Sequence, residues 1–401
     1  MDNVTHTLIG ITLGKALTRK EPNAGVVRAA VWTAMIGSNF PDIDFVVHFI
    51  YRHGEVSRLA YLLHHRGWTH TVLGALPLGA IAAWIGAKIG KRRLDWKLVA
   101  FGVFSVLFHI FSDFWNEYGV HPFSPFLNGW FYGDSIFILE PSFWLMMAPL
   151  ALGGKLWDGI RGLWWLPVAG VLGLLWFGSY VSLGVAAALS VLFLLSFFAY
   201  RRTGEPLVTL AGLLLLLGIF SYQSHSARQG VEKALRAEGW NVHGADLLLG
   251  PAPGNPLCWR VIASSQIQDD WVTALGSWTQ WPSVIDPRSC HFRGLYESDE
   301  IPYPLQKTLL AATAQLNWTY EFRGSLGDFR RLRRENAAFE RFLGFSRFPY
   351  WKIESSTGNV EFGDLRFVRG GSRGFAQYVF PLQTTEGEGL PQWKGVLYDV
   401  R

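Results

Sequence analysis

The sequence predicts an α-helical polytopic membrane domain followed by a C-terminal α+β soluble domain with an antiparallel sheet. The 401 residues are 50% hydrophobic and only 17% charged, which is unusually apolar for a soluble protein. Most long apolar runs lie before Tyr222, whereas short β-branched and aromatic runs between Gly, Pro and Asp/Asn turns dominate the rest. We therefore assign residues 1–222 to the membrane domain and residues 223–401 to the soluble domain.

The apolar runs differ in whether they are long enough to cross a bilayer, which takes about 20 mostly apolar residues. Thr5–Leu17 is too short to cross alone, and Val26–Gly37 is cut short by Asn39 and Pro41. The predicted spans are Thr71–Gly90, Leu98–Trp115, Phe137–Gly153, two helices within Leu163–Tyr200 separated at Gly178–Tyr180, and Leu207–Tyr222.

Basic residues are concentrated in alternate loops, which indicates the orientation in the membrane. The basic loops are residues 88–97, 155–161 and 201–202. Because such loops stay in the cytoplasm, we expect a multi-pass inner-membrane protein with a periplasmic C-terminal domain. Arg52 and Arg58 on the outer side argue against this orientation, whereas Arg66 can be explained by a site. The net charge of +5 fits these loops, and the absence of a basic stripe with interleaved aromatic residues argues against nucleic-acid binding.

The soluble domain begins with a polar helical stretch, Ser224–Glu238, and a charged helix, Arg323–Phe342, interrupts its strands. Its two cysteines, Cys258 and Cys290, are compatible with a disulfide in the periplasm and equally with two unpaired thiols. The predicted strands are Trp259–Ile267, Trp271–Trp278, Leu316–Phe322, Tyr350–Ile353, Val360–Val368, Gln377–Leu382 and Gly395–Val400.

Histidines and aspartates recur beside the apolar helices of the membrane domain, where ionisable groups are costly and usually functional. Imidazoles and carboxylates together form the ligand set of zinc or manganese. The candidate ligands are His6, Asp42, Asp44, His65, His70, His109 and Asp113. Seven ligands exceed what one zinc ion takes from protein, so either two ions bind or some of these residues support the ligands.

The spacing of two carboxylate motifs fits a shared site. His109 and Asp113 are four residues apart on a predicted helix, so both side chains point to one face. Asp42 and Asp44 follow Pro41 at the start of a helix predicted over residues 45–51. Helix capping explains one of these two aspartates, whereas a metal explains both.

His65 and His70 are five residues apart across Gly67, so they do not share a simple helix face. The conformational freedom of Gly67 permits a turn that directs both imidazoles inward. Each motif alone also fits a polar network that holds helices together. Their combination favours a metal site.

These motifs resemble the bacterial membrane-bound metal-dependent hydrolase family, whose best-known members are LexA-regulated inner-membrane proteins. The resemblance covers roughly residues 1–150 and implies a divalent metal and hydrolase chemistry. Glu140 stands where an Asp is expected, and the chain after Tyr222 lies outside the resemblance. It rests on Met1–Leu8, Pro41–Asp44, His65–Gly67 with Thr69–Thr71, and His109 with Asp113 followed by Tyr118–Gly119 and Pro122–Phe123.

The leading hypothesis is hydrolysis of an ester or phosphoester of a lipid or lipid-linked substrate by metal-activated water. Glu117 or Asp134 would be the general base, and Arg66 would hold an anionic substrate oxygen. The lipid preference comes from an analogy with the helical H-x-x-x-D ligand pairs of zinc phospholipases C. The alternative is a non-enzymatic membrane scaffold with a structural His/Asp cluster and a partner-binding periplasmic domain. Intramembrane proteolysis is disfavoured because the sequence lacks H-E-x-x-H.

Overall fold

The computed structural model describes residues 1–46, 54–153, 165–178, 180–240, 246–290, 304–308, 310–368 and 374–395. Within these residues it contains eleven α-helices and eight β-strands, which confirms the predicted fold class. Several predicted features lie wholly or largely outside the described residues. They are the helix at residues 45–51, Arg52, the basic loop at residues 155–161 and the strand at residues 395–400.

Nine of the described helices form the helical region, residues 1–237. Four of these are long and apolar enough to cross a membrane: Val72–Ile89, Trp96–Phe114, Leu183–Thr203 and Pro206–Ala237. The predicted span Phe137–Gly153 is realised as a helix of only 12 residues, because Phe137–Glu140 precede the helix as a loop. The helices are α1 (Asn3–Leu17), α2 (Ala24–Gly37), α3 (Glu55–His64), α4 (Val72–Ile89), α5 (Trp96–Phe114), α6 (Pro141–Leu152), α7 (Trp165–Phe177), α8 (Leu183–Thr203) and α9 (Pro206–Ala237).

Helices α4 and α5 pack closely because glycines face each other at their crossing. A Cβ atom on Gly102 would lie 2.2 Å from the carbonyl oxygen of Gly79, so only glycine fits there. Small residues at such a crossing let two apolar helices approach closely without a hydrophobic driving force from water. The start of α4 and the end of α5 thereby lie side by side.

Basic residues lie at the helix ends that are remote from the candidate site residues. Lys15 closes α1 and donates from Nζ to the carbonyl oxygens of Leu150 and Gly153 at the end of α6. Lys88 lies in the last turn of α4, and Arg201 lies in the last turn of α8. One end of the helical region is therefore basic, and the other carries the candidate site residues.

The C-terminal region, residues 246–395, contains two antiparallel sheets. Strand order is β1-β2-β3-β5-β4 in the larger sheet and β6-β7-β8 in the smaller. Helix α9 continues unbroken through the predicted domain boundary at Tyr222 and ends at Ala237, before the first strand. The strands are β1 (Leu247–Ala252), β2 (Asn255–Ile267), β3 (Asp270–Thr279), β4 (Gln306–Lys307), β5 (Leu316–Ser325), β6 (Pro349–Glu354), β7 (Asn359–Asp364) and β8 (Gln377–Pro381).

The single helix predicted over Arg323–Phe342 is instead two helices, α10 (Leu326–Glu335) and α11 (Ala337–Leu343). Asn336 separates them because its backbone is extended and its side chain accepts a hydrogen bond from Phe339 N as the cap of α11. Cys258 on β2 is bridged to Cys290 by a disulfide. Of the two possibilities that the sequence left open, the structure therefore contains the bridge.

The C-terminal region packs directly on the helical region. Leu59 and Leu63 of α3 are buried in one core with Phe339 and Phe342 of α11. Trp393 Nε1 also donates a hydrogen bond to the carbonyl oxygen of Leu63. The contact is on the side of the helical region where α4 begins and α5 ends.

Candidate metal centre

Four of the seven predicted ligands converge on one point. Asp42 lies on a 3-10 helix, Phe40–Val46, and His70 ends a second 3-10 helix, Trp68–His70, just before α4. His109 and Asp113 lie one turn apart near the end of α5. One ligand atom from each of these four residues lies within 4.8 Å of the others.

Five of the six distances between these ligand atoms are close to those expected around one tetrahedral ion. The two Nε2 atoms of His70 and His109 are 3.1 Å apart, and each lies 3.4 Å from Asp113 Oδ2. Asp42 Oδ1 lies 3.5 Å from His70 Nε2 and 3.7 Å from His109 Nε2. Zinc bonds of about 2.0–2.1 Å place neighbouring tetrahedral donors roughly 3.3 Å apart. The four residues therefore fit a zinc-sized divalent ion.

The hydrogen bonds of the two histidines leave their Nε2 atoms available. His109 Nδ1 lies 2.7 Å from the carbonyl oxygen of Ser38, which can only accept, so Nδ1 carries the proton of the neutral ring. His70 Nδ1 lies 3.4 Å from Asp44 Oδ2. At 3.1 Å, the two Nε2 atoms are close enough for one ring to donate a hydrogen bond to the other or for both to bind one cation. Partners of the second ring nitrogen, such as the Ser38 carbonyl and Asp44 here, are typical of metal-binding histidines.

Asp113 presents one oxygen to the other ligands and the second to cationic groups. Its Oδ2 atom is buried and lies 3.4 Å from the Nε2 atoms of both His70 and His109, a distance that suits an ion pair with a protonated ring or a cation shared by all three groups. Its Oδ1 atom contacts the α-amino group of Met1 and lies 3.0 Å from Arg66 Nη2. This division orients the carboxylate for binding through Oδ2.

Asp44 and His65 were both predicted as ligands, but neither belongs to the group of four. Asp44 contacts His70, and His65 contacts Asp44. Asp44 accepts from the Arg66 backbone N–H at 2.7 Å and lies 2.9 Å from His65 Nδ1. Although burial opposes ionisation of Asp44, the hydrogen bond from His65 and the nearby imidazoles hold its pKa below the usual range. Asp44 thus joins His65 to His70 and positions both rings.

His6 lies on the other side of Asp113. Its ring stacks on the His109 ring with centroids 3.9 Å apart, and its Nε2 atom lies 3.4 Å from Asp113 Oδ1. Ser112 Oγ approaches His6 Nδ1 at 3.3 Å. His6 therefore packs against two of the converging residues without its nitrogens joining the group of four.

The turn between His65 and His70 uses Gly67, as predicted, and also Arg66. A Cβ atom on Gly67 would lie 2.7 Å from the carbonyl oxygen of His64, so a side chain does not fit there. Gly67 has φ −73°, whereas Arg66 has φ 62°, in the left-handed region that non-glycine residues rarely adopt. The Arg66 side chain is 2% exposed, donates from Nη1 to the carbonyl oxygen of Gly119 and lies over the Tyr118 ring. These contacts hold the strained backbone in place.

A cavity of about 600 Å³ lies beside Asp42, His65 and Arg66. Both regions of the chain form its walls, and much of its lining is apolar. The helical region also contributes Asn116, Glu117, Tyr118 and Ile138, and the C-terminal region contributes Pro251, Arg260, Phe367 and Phe375. Sequence motifs could not identify Arg260 as a site residue, because its partner Glu117 is 143 residues away in the sequence.

The remaining predicted residues differ in their relation to the cavity. Glu117 lines it and forms an ion pair with Arg260. Asp134 does not line it and is held by Arg347 and Arg228, at 2.9 and 3.1 Å. Glu140, which stands where the resemblance expects Asp, caps α6 by accepting from the backbone and hydroxyl of Ser142.

Comparisons with known proteins find similarity for the first part of the chain. Residues 1–181 match the family model described as YdjM inner membrane protein. Over 134 residues, the chain is 29% identical to "Uncharacterized protein YfhP" of Bacillus subtilis (strain 168), a stretch covering 32% of this chain and 39% of that relative. No solved structure matches the chain. The first 181 residues are thus similar to the YdjM inner membrane proteins, and this likeness and the four candidate spans both support an inner-membrane location.

Proposed function

We propose that the protein is an integral-membrane metal-dependent hydrolase that acts on an ester or phosphoester of a lipid or lipid-linked substrate. The observation that carries this proposal is the convergence of Asp42, His70, His109 and Asp113 beside a cavity of about 600 Å³. A purely structural polar network does not require ligand atoms from three separate segments to lie within 4.8 Å of one another. It also does not require a cavity beside the cluster.

Asp42, His70, His109 and Asp113 would hold a divalent ion, with zinc as the first expectation and manganese as the second. Such an ion supplies Lewis-acid chemistry, since it lowers the pKa of water and neutralises charge in the transition state. A measured content of two metal ions per protein would indicate that Asp44 and His65 assist a second ion.

The other side chains of the cavity divide the remaining tasks. His65 lines the cavity, and because its Nδ1 atom lies against Asp44, its Nε2 atom is the one available for proton transfer. Glu117 also lines the cavity and is the second candidate for that role. Arg66 is largely occupied by Asp113 and Gly119, so its main task is to hold Asp113. The apolar lining suits an acyl or isoprenoid chain.

We further propose that the cavity and the C-terminal region lie on the periplasmic side. The basic residues at the opposite helix ends support this orientation through the positive-inside rule. The Cys258–Cys290 disulfide supports it too, because such bridges persist in oxidising compartments. Of the two outer arginines that the structure describes, Arg66 is buried at the site and Arg58 pairs with Glu55.

The first experiment is elemental analysis of detergent-purified protein. We expect stoichiometric metal in the wild type and its loss in the joint His109→Ala and Asp113→Ala variant. His64→Ala is the matched control, since His64 lies next to the site residue His65 but outside the converging group. Equal metal content in wild type and double variant would remove the basis of the proposal.

The second experiment is a panel of lipid phosphoesters and esters in mixed micelles, each paired with a soluble analogue that lacks the chain. We expect chelator-sensitive hydrolysis of a chain-bearing member, restored by added metal. If metal-loaded protein hydrolyses no member of the panel, the scaffold function is favoured instead. Turnover of only the soluble analogues would contradict the lipid part of the proposal.

A further inference from the structure

The loop after α5 exposes several large apolar side chains outside the candidate spans. We call residues Phe123–Phe131 the aromatic loop; Val120 and Phe131 close it with two backbone hydrogen bonds of 2.9 and 2.7 Å. Within it, the exposed fractions are 47% for Phe123, 79% for Phe126 and 60% for Leu127. A contiguous exposed apolar patch on a protein usually marks a site of interaction.

This part of the chain is also free of charge. Residues 118–133 contain no Asp, Glu, Lys or Arg. Their one histidine, His121, is buried against the rings of Trp130 and Trp393, with centroid distances of 4.6 and 4.2 Å. Burial lowers the pKa of His121 to about 3, so this side chain is neutral at physiological pH. Moving the loop from water into lipid therefore carries no cost of burying a charge.

Some of the backbone N–H groups of the loop form hydrogen bonds to carbonyl oxygens of the loop or of its immediate neighbour His121. Phe126 N and Leu127 N both donate to the carbonyl oxygen of Phe123, at 3.0 and 3.1 Å. Ser124 N lies 3.3 Å from its acceptor, the carbonyl oxygen of His121. These internal bonds lower the cost of taking the loop out of water, since lipid offers no hydrogen bonds.

The loop lies at the level where a candidate span begins. Val72, the first residue of α4, donates its backbone N–H to the carbonyl oxygen of Pro122 at 2.9 Å. Leu73 and Leu76 of α4 are exposed, as expected for side chains that face lipid, and Trp68 just before α4 is also exposed. Trp and Tyr residues are enriched at this depth of a membrane, which fits the exposed Trp68.

We propose that the aromatic loop is a membrane-surface anchor whose Phe126 and Leu127 side chains insert into the lipid leaflet on the side of the metal centre. Lipid is favoured over a protein partner because the patch is continuous with the lipid-facing start of α4 and lacks any charge. Lys394 N donates to the carbonyl oxygen of Asn128 at 3.3 Å, and Trp130 Nε1 donates to that of Gly344 at 2.9 Å. The anchor therefore also fixes the C-terminal region against the bilayer, independently of any metal chemistry.

The test uses single cysteines labelled with an environment-sensitive fluorophore in the full-length protein, reconstituted in phosphatidylcholine–phosphatidylglycerol vesicles. Phe126→Cys is the test position, Leu76→Cys is the lipid-facing reference and Ser356→Cys, in the exposed β6–β7 turn, is the water-facing reference. The wild type, whose two cysteines are bridged, is the blank for labelling. Each position is measured with aqueous iodide and with brominated phosphatidylcholine as quenchers.

We expect the label at position 126 to emit at shorter wavelength than the label at 356. It should also be quenched by brominated lipid, with an iodide quenching constant several-fold below that at 356. Equal iodide quenching at 126 and 356 would place the loop in water and overturn the proposal. Quenching by neither agent would mean that protein covers the loop, which also overturns it. Leu127→Cys repeats the measurement, and the elution volume of each variant checks that it is folded.

Discussion

Substitution of Asp44 by Asn tests whether residues outside the four converging side chains tune metal binding at the candidate centre. Asp44 accepts the Arg66 backbone N–H at 2.7 Å and lies 2.9 Å from His65 Nδ1 and 3.4 Å from His70 Nδ1. Asparagine has almost the same volume but offers one acceptor oxygen instead of two. In one orientation its NH2 group faces the Arg66 backbone N–H; in the other it faces His65 Nδ1, which must then be unprotonated.

The expected magnitude follows from the indirect position of Asp44. Loss of an outer partner of a metal-binding histidine typically weakens metal affinity about 10- to 100-fold. At about 1.4 kcal/mol per factor of ten, this loss is about 1.4–2.8 kcal/mol of binding free energy. Asp113→Asn should weaken binding further, because it changes an atom of the converging group itself. We expect the Asp44→Asn protein to remain folded.

The assay is competition for zinc between a chromophoric chelator and the detergent-purified protein. Asp95→Asn is the matched control, because it removes the same charge from an exposed helix cap of the same region. If Asp44→Asn binds zinc within a factor of two of the wild type, Asp44 does not position His70, and the reasoning fails. An equal loss in Asp95→Asn would show a general charge effect instead.

Three further predictions concern the C-terminal region. Replacing Cys258 and Cys290 by Ser opens a loop of 32 residues and should cost about 3–4 kcal/mol of unfolding free energy; an unchanged Tm would contradict this. Burial alone would raise the pKa of Asp364, but the Arg366 guanidinium 2.9 Å away holds it below the usual range. The pair's stabilisation is therefore present above about pH 4 and lost as the pH falls. Asp364→Asn should cost about 3–5 kcal/mol at pH 7 and flatten the acid transition measured by circular dichroism; a wild-type acid profile would contradict this. A reporter enzyme that is active only in the periplasm, fused after Arg401, should be active; a silent fusion would mean that the number of membrane crossings is wrong by an odd count.

The sequence predicted all four residues of the converging group, in part because helix geometry fixes the relation between two of them. His109 and Asp113 are four residues apart on an α-helix, so their meeting required no long-range information. The separation of Asp42 from Asp44 and of His70 from His65 could not be predicted. It depends on where two 3-10 helices place their side chains, and on a left-handed backbone at Arg66.

Most strands could be predicted from local sequence, whereas the walls of the cavity could not. Alternation and turn residues are local, so β2, β3, β5, β6, β7 and β8 all follow predicted runs. Strand β1 was missed because its sequence, Leu-Leu-Leu-Gly-Pro-Ala, shows no alternation and ends in turn residues. The pairing of Arg260 with Glu117 joins residues 143 positions apart and leaves no local pattern.

The contacts between the two regions have a consequence for how the cavity is reached. Glu117 of the helical region pairs with Arg260 of the C-terminal region, and Arg366 donates to the carbonyl oxygen of Glu117 at 3.0 Å. Asp134 is buried against Arg347 at 2.9 Å, and separating such a pair would leave an unpaired buried charge. The C-terminal region is therefore a wall of the cavity rather than an appendage. A molecule that reached Asp42 through this cavity would lie between both regions, so we expect residues outside the span of family resemblance to take part in its selection.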